Sequence, residues 1–172
     1  MRMLGNRATL DASVNVFAAQ LPLGAHTDKT PIIDDVARVR SGAYDAPSDI
    51  EAREVLVKSH DGTMVPLSIV ARKGLKLDGS HPTVLYGYGA YGVTDDPFFS
   101  PRVYAWIQRG GVWATAHVRG GGVYGKDWHE AGRKTTKHNT WRDAIAAGEW
   151  LVANGWTAPS HMAIYGGSAG GI

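Results

Sequence analysis

From Thr83 onward the sequence alternates between short apolar runs and helical patterns, and this alternation constrains the fold more than any other feature. "TVLYGYG" is almost wholly apolar and ends in glycines. "PRVYAWIQRGG" places Val103, Trp106 and Ile107 at helical spacing and stops at Gly110-Gly111. "VWATAHV" is a second apolar run, and "NTWRDAIAAGEWLVANG" is the clearest helix. Trp141, Ile145, Gly148, Leu151 and Val152 fall on one face of that helix. Thr140 and Asp143 are spaced for a capping box, and Gly155 suits the left-handed position after the last turn. "HMAIY" is the last strand. Apolar strands without polar alternation are buried on both faces, and strands separated by helices form parallel sheets with right-handed crossovers. Ahead of them, "REVLVKS" and "VPLSIVARK" flank an Asp61-Gly62 turn signal, which predicts an antiparallel hairpin. "KGLKLDGSHP" reads as a polar loop. The expected fold is therefore α/β: an N-terminal β-hairpin followed by parallel strands with crossover helices, over residues 49–172. Residues 1–48 are a poorly defined N-terminal segment. Within it "ASVNVFAAQLPL" is compatible with a strand or a short helix, and "GAYDAPSDIE" reads as a linker.

Composition removes several function classes. The chain has 172 residues, 44% hydrophobic and 20% charged, which is globular rather than disordered. It has no cysteine, so disulfide frameworks, Cys-based metal sites and thiol nucleophiles are excluded. A net charge of +2 without a Lys/Arg block gives no reason to expect nucleic acid as a partner. No apolar run approaches the ~18 residues of a membrane span. The opening "MRMLGNRATL" lacks the apolar core of a signal peptide, so a cytoplasmic location is expected.

Two glycine motifs carry chemical meaning. Gly166-Gly167-Ser168-Ala169-Gly170 fits G-x-S-x-G directly after the "MAIY" strand. A serine nucleophile displayed on a sharp strand-to-helix turn needs small residues two positions before and two after, where strand and helix pass closely. Gly166 and Gly170 fill those places, and Gly167 and Gly171 add room. Gly120, Gly122 and Gly125 match G-x-G-x-x-G, with Asp143 at the distance of a ribose-binding acid. Against a dinucleotide site, "VYGKDWHEAGRKTTKHN" separates the glycines from the next long helix, and Asp143 falls in a helical first turn rather than at a strand end. A loop with unusual backbone angles explains these glycines better.

Three long segments then resemble one family. "KGLKLDGSHPTVLYGYGAYG", "RGGGVYGKDWHEAGRKTTKHNTWRDAIAAGEWL" and "GGSAGG", in order and at matching separations, resemble the catalytic domain of the prolyl oligopeptidase family of serine peptidases, from about Asp45 to the end. The resemblance implies the N-terminal portion of an α/β-hydrolase domain, with Ser168 as nucleophile. It implies an oxyanion hole made by the Tyr88 hydroxyl and the Ala169 backbone N–H, each such donor being worth roughly 3–4 kcal/mol in the transition state. Tyr91 stands at a substrate-pocket position that is usually phenylalanine in prolyl oligopeptidase itself. Val123 stands where the family generally has glutamate. The implied substrate is a short peptide, with no metal or organic cofactor. Residues 1 to about 40 occupy the place of the end of a β-propeller.

The triad is where the expectation becomes unusual. On this fold the partners follow the order Ser, Asp, His. All seven histidines, His26, His60, His81, His117, His129, His138 and His161, precede Ser168. His117, ending a strand beside the glycine loop, is the least remote candidate. The acid and base are thus expected beyond Ile172, and the isolated chain is expected to be inactive, for lack of the C-terminal part of its own domain. An esterase or acylaminoacyl-releasing peptidase on the same fold is the alternative enzyme, and a non-catalytic remnant the alternative to an enzyme. A central strand left unpaired also predicts self-association.

Overall fold

The computed structural model describes residues 47–95 and 100–171. The segment "ASVNVFAAQLPL", His26 and the first half of the expected linker, residues 42–46, lie outside the described residues, and the linker's last two residues, Ile50 and Glu51, already belong to the first strand.

The hairpin forms where the turn signal put it. Strand β1 (Ile50–Lys58) pairs antiparallel with β2 (Met64–Arg72), in a register running from Ile50 opposite Arg72 to Lys58 opposite Met64. Asp61 Oδ1 accepts the Thr63 N–H at 3.0 Å, an Asx-type contact that closes the turn at Gly62. Strand β3 (Thr83–Tyr86), helix α1 (Pro101–Gln108), strand β4 (Val112–Ala116), helix α3 (His138–Ala153) and strand β5 (Met162–Tyr165) follow in the expected alternation. A short helix α2 (Lys126–Glu130) and a 3-10 turn at Lys134–Thr136 lie between β4 and α3. That loop is therefore more ordered than its breakers suggested.

The sheet order is β1-β2-β4-β3-β5. β3 pairs parallel with both β4 and β5, while β2 joins β4 antiparallel, so the sheet is mixed as the hairpin-then-parallel reading requires. The core lies between the sheet and α3: Leu67, Ile69, Leu85, Val112, Ala114, Ala147 and Leu151 are essentially fully buried there. Each large aliphatic side chain so placed contributes about 1.5–3 kcal/mol. Gly148 lets α3 approach the sheet, with Leu85 Cδ2 at 3.5 Å and Met162 Cε at 3.1 Å from where a Cβ would stand.

Two helix expectations are corrected. Gly155 does adopt the left-handed conformation after α3, at φ +73°, but no capping box forms at the other end. The helix starts at His138, and the Thr140 hydroxyl donates to the Arg119 carbonyl at 2.6 Å instead. The buried face is also rotated from the apolar one. Thr140, Asp143, Ala147, Gly148 and Leu151 point inward, while Trp141 and Ile145 are 44% and 57% exposed. The cause is ionic. Asp143 is pulled fully inside by Arg119, and that buried network sets the rotation of the helix against its simple apolar period.

Candidate active site

β5 delivers the chain to the turn that holds Ser168. Ser168 has φ +52°, a left-handed conformation that costs a residue with a Cβ about 1 kcal/mol or more, and its side chain stands in solvent. It opens a 3-10 turn, Ser168–Gly171, with the Gly170 N–H donating to the Gly167 carbonyl at 2.8 Å. The tightness of this turn explains two of its glycines. A Cβ on Gly166 would overlap the Gly170 carbonyl, and one on Gly170 would stand 2.8 Å from the Gly87 carbonyl and 3.1 Å from Tyr88 Cα. Gly167 meets nothing within 4 Å, so its glycine is not sterically required.

The second part of the site is the loop after β3. The Gly87 N–H reaches the Tyr165 carbonyl at 3.4 Å, extending the β3–β5 pairing to the mouth of the turn. Tyr88 follows, half-buried, and touches the elbow through the space that Gly170 leaves free. Tyr88 and Ala169 line one cavity of about 270 Å³, together with Leu85, Val118, Ile164 and Lys137. The structure thus brings together Ser168's turn, Tyr88 and Ala169. Tyr91 stands apart: it is 77% exposed, has φ +55° and does not line this cavity.

A third layer supports the Tyr88 loop from below, and no local sequence pattern signals it. The glycine-rich stretch after β4 lies directly under residues 89–93. A Cβ on Gly120 or Gly122 would overlap the Gly89 or Gly92 carbonyl. The Gly92 N–H donates to the Gly120 carbonyl at 3.1 Å, and the Gly122 N–H to the Val93 carbonyl at 3.0 Å. These glycines are spent on packing loop against loop, not on cradling a pyrophosphate.

Arg119 anchors that stretch. Its Nε and Nη2 donate to the two oxygens of fully buried Asp143 at 2.9 and 2.7 Å, and its backbone N–H donates to Asp143 Oδ2 at 3.0 Å. Ser59 donates a further bond to Asp143 at 2.6 Å, and Asp61 in the hairpin turn pairs with the outer edge of the guanidinium. The guanidinium, held mainly by Asp143, has its pKa raised, while its bonds hold the Asp61 carboxyl well below the usual carboxylate range. Asp143, offered above both as a cap and as a ribose ligand, is neither: it is the buried counter-ion of Arg119.

Every described histidine is engaged away from Ser168. His117 Nε2 bonds Ser68 Oγ at 2.9 Å, His129 Nδ1 the Gly120 carbonyl at 2.8 Å, and His81 Nε2 the Lys76 carbonyl at 2.7 Å. His60 meets Ser59, His138 the Thr135 carbonyl and His161 the Gly79 carbonyl. Among the described residues no group of three potential metal-ligating side chains occurs.

A sheet of this topology, with a strained serine at the turn after a parallel strand, is the arrangement in which α/β hydrolases display a nucleophile. Comparison with known proteins narrows the class. Residues 97–172 match the prolyl oligopeptidase family. The chain is 45% identical over 126 residues to the prolyl endopeptidase of Elizabethkingia meningoseptica, covering 73% of this chain and 18% of that protein. It is 48% identical over 125 residues to the dual function macrocyclase-peptidase POPB of Amanita bisporigera, covering 72% and 17%. Among solved structures, a prolyl endopeptidase superposes with a TM-score of 0.71 at 46% identity, over 73% of this chain and 19% of that one. A post-proline cleaving enzyme from Rickettsia typhi superposes with a TM-score of 0.73 at 33% identity, over 77% and 20%. The match to the prolyl oligopeptidase family thus falls on residues 97–172, and the chain spans about a fifth of the length of the relatives it matches.

Proposed function

We propose that this chain carries the nucleophile and the oxyanion donors of a serine-type endopeptidase that hydrolyses short peptides by acyl transfer. Ser168 attacks the scissile carbonyl, and the Tyr88 hydroxyl and the Ala169 N–H receive the negative charge that develops on its oxygen. The proton of Ser168 passes to a histidine from outside the described residues, oriented by an aspartate. The observation that carries this reading is the backbone of Ser168, held at φ +52° and exposed between two glycines whose side-chain space is already filled. A merely structural Gly/Ser loop has no need of that strain. The peptide substrate is supported by the relatives, among them a prolyl oligopeptidase B of Galerina marginata solved with a 35mer hydrolysis and macrocyclization substrate.

The test is fluorophosphonate labelling read by intact mass. A chimera in which this chain replaces the matching stretch of the Elizabethkingia prolyl endopeptidase should label once, at Ser168, and Ser168→Ala should abolish labelling. The 172-residue chain alone should label at least ~10²–10⁴-fold more slowly, the usual contribution of a general base. Labelling of the chimera at another residue would sink the assignment of Ser168. Equally fast labelling of the isolated chain would show that no outside base is needed.

A further inference from the structure

Lys137 is the single lysine among the described residues that is not exposed. It directly precedes α3 and lines the cavity shared by Tyr88 and Ala169. No described carboxylate pairs with it. Its ammonium donates instead to the Gly89 carbonyl, Nζ to O 2.7 Å. Burial without a counter-ion pushes its pKa below the ordinary lysine value, because losing water disfavours the charged form. The first turn of a helix is also the unfavourable end for a cation. The side chain caps nothing in α3. A methionine would bury the same length of chain at lower cost, so the fold alone does not ask for an ammonium here.

What the ammonium holds is the residue after Tyr88. The Gly89 backbone is boxed in: a Cβ there would strike the methyls of Thr140 and Val118, and its carbonyl oxygen rests against Gly120. These contacts fix where Gly89 sits. The Gly120 contact limits where the carbonyl oxygen can go but gives it no hydrogen bond, and among the described residues no backbone N–H reaches that oxygen. Lys137 supplies the only described hydrogen bond to it. Carbonyl direction sets the turn at Gly89, where φ is +64°, and with it the path from Tyr88 to Gly92. A charge-assisted bond to a peptide oxygen is about twice as strong as a neutral one, which suits a single-point restraint. Lys137 makes no bond to Ser168, so it is not placed as a proton acceptor.

We propose that Lys137 is a positioning residue: by gripping the Gly89 carbonyl it holds the Tyr88 loop where Tyr88 lines the same cavity as Ala169. The proposal rests on the reading of Tyr88 as an oxyanion donor, but its test does not pass through Ser168 chemistry. The chain's seven tyrosines are replaced by 3-fluorotyrosine, and the Tyr88 fluorine resonance is identified by its loss in Tyr88→Phe. In Lys137→Met the Tyr88 line should move by more than its width while the other lines stay in place, and Lys137→Arg should return it towards its original position. The Gly89 carbonyl carbon should shift in the same variants. An unmoved Tyr88 line in Lys137→Met would overturn the proposal. So would a displacement of all lines together, which marks a purely structural role. Should Lys137→Met fail to fold, Lys137→Gln keeps a neutral N–H donor: a smaller selective shift supports the role, and an unmoved line refutes it. An unlabelled Ser168 in the chimera would sink the peptidase reading and leave this result standing.

Discussion

The buried Arg119–Asp143 pair makes a prediction whose sign depends on which partner is removed. Asp143 has no exposed surface, and the Arg119 side chain is 5% exposed. Asp143→Asn converts one acceptor oxygen into an N–H donor facing the guanidinium, leaving Arg119 with Asp61 alone inside the protein. Breaking one partner of a buried pair typically costs 3–5 kcal/mol, and the remaining Asp61 contact favours the lower end, about 3 kcal/mol. The weakened Ser59 bond adds about 1 kcal/mol. With an unfolding entropy of about 2.1 cal/mol/K per residue over the roughly 120 described residues, about 4 kcal/mol lowers Tm by about 15 °C. The double variant Arg119→Met, Asp143→Asn removes the charge that was stranded. The asparagine oxygen still accepts the residue 119 N–H, so the double should be more stable than Asp143→Asn alone. Urea titrations of the two single variants and the double, closed as a thermodynamic cycle, measure this. If the two single effects simply add, or if Asp143→Asn costs under about 1 kcal/mol, the pair is not the buried anchor described here.

Three further outcomes follow from the same geometry. Because Arg119 depresses the Asp61 pKa, the stabilising effect of Asp61 is present above its unfolded pKa of about 4 and fades as pH falls below it; Asp61→Asn should flatten the loss of stability between pH 4 and 2 relative to the parent, read from urea midpoints. Gly166→Ala should cost roughly 1–3 kcal/mol, because its Cβ overlaps the Gly170 carbonyl, whereas Gly167→Ala, with open space around it, should stay within about 0.5 kcal/mol; equal thermal shifts for the two would contradict the elbow geometry. β5 exposes Ile164 at 72% and Tyr165 at 54%, and no described strand pairs with its other edge; self-association is expected on size exclusion, and Ile164→Lys should move the chain towards monomer.

The parts of this structure that could be read from sequence are those set by local chemistry. Asp61-Gly62 makes a turn because aspartate bonds the backbone two residues on, so both hairpin strands were placed. Apolar runs of four or five residues between helical patterns pointed to parallel strands, and β3, β4 and β5 pair that way; the expected burial on both faces does not hold, since β3 and β4 bury alternate residues and β5 is largely exposed. Gly166 and Gly170 were identified because close packing at the serine turn demands them. What escaped depended on partners distant in the chain. Asp143 pairs with Arg119, 24 residues away, and Arg119 with Asp61, 58 residues away. No periodicity encodes that, so the apolar face read for α3, with Trp141 and Ile145 beside Gly148 and Leu151, is not the face that is buried. Lys137 escaped for the same reason: its acceptor is a backbone carbonyl 48 residues earlier.

The same distant contacts explain why the glycine stretch after β4 is built as it is. Seen alone, Gly120, Gly122 and Gly125 spell a phosphate cradle. In the folded chain the oxygens that approach Gly120 and Gly122 belong to Gly89 and Gly92, on the loop that carries Tyr88. Two loops from neighbouring parallel strands can lie this close only if one of them has no side chains at the crossing. Arg119 then fixes the lower loop to the hairpin through Asp61 and to α3 through Asp143, while Lys137 ties α3 to the upper loop. The Tyr88 segment is thereby held from the hairpin, the sheet and the helix at once, and Gly170 brings Ser168's turn against it. A hydroxyl that is to meet developing charge, the role proposed for Tyr88, must already be in place when the charge appears, since reorganisation at that moment would consume the stabilisation. Backbone-to-backbone packing, locked by one buried ion pair and one ammonium, supplies that rigidity without placing any of the anchoring charges on the serine itself.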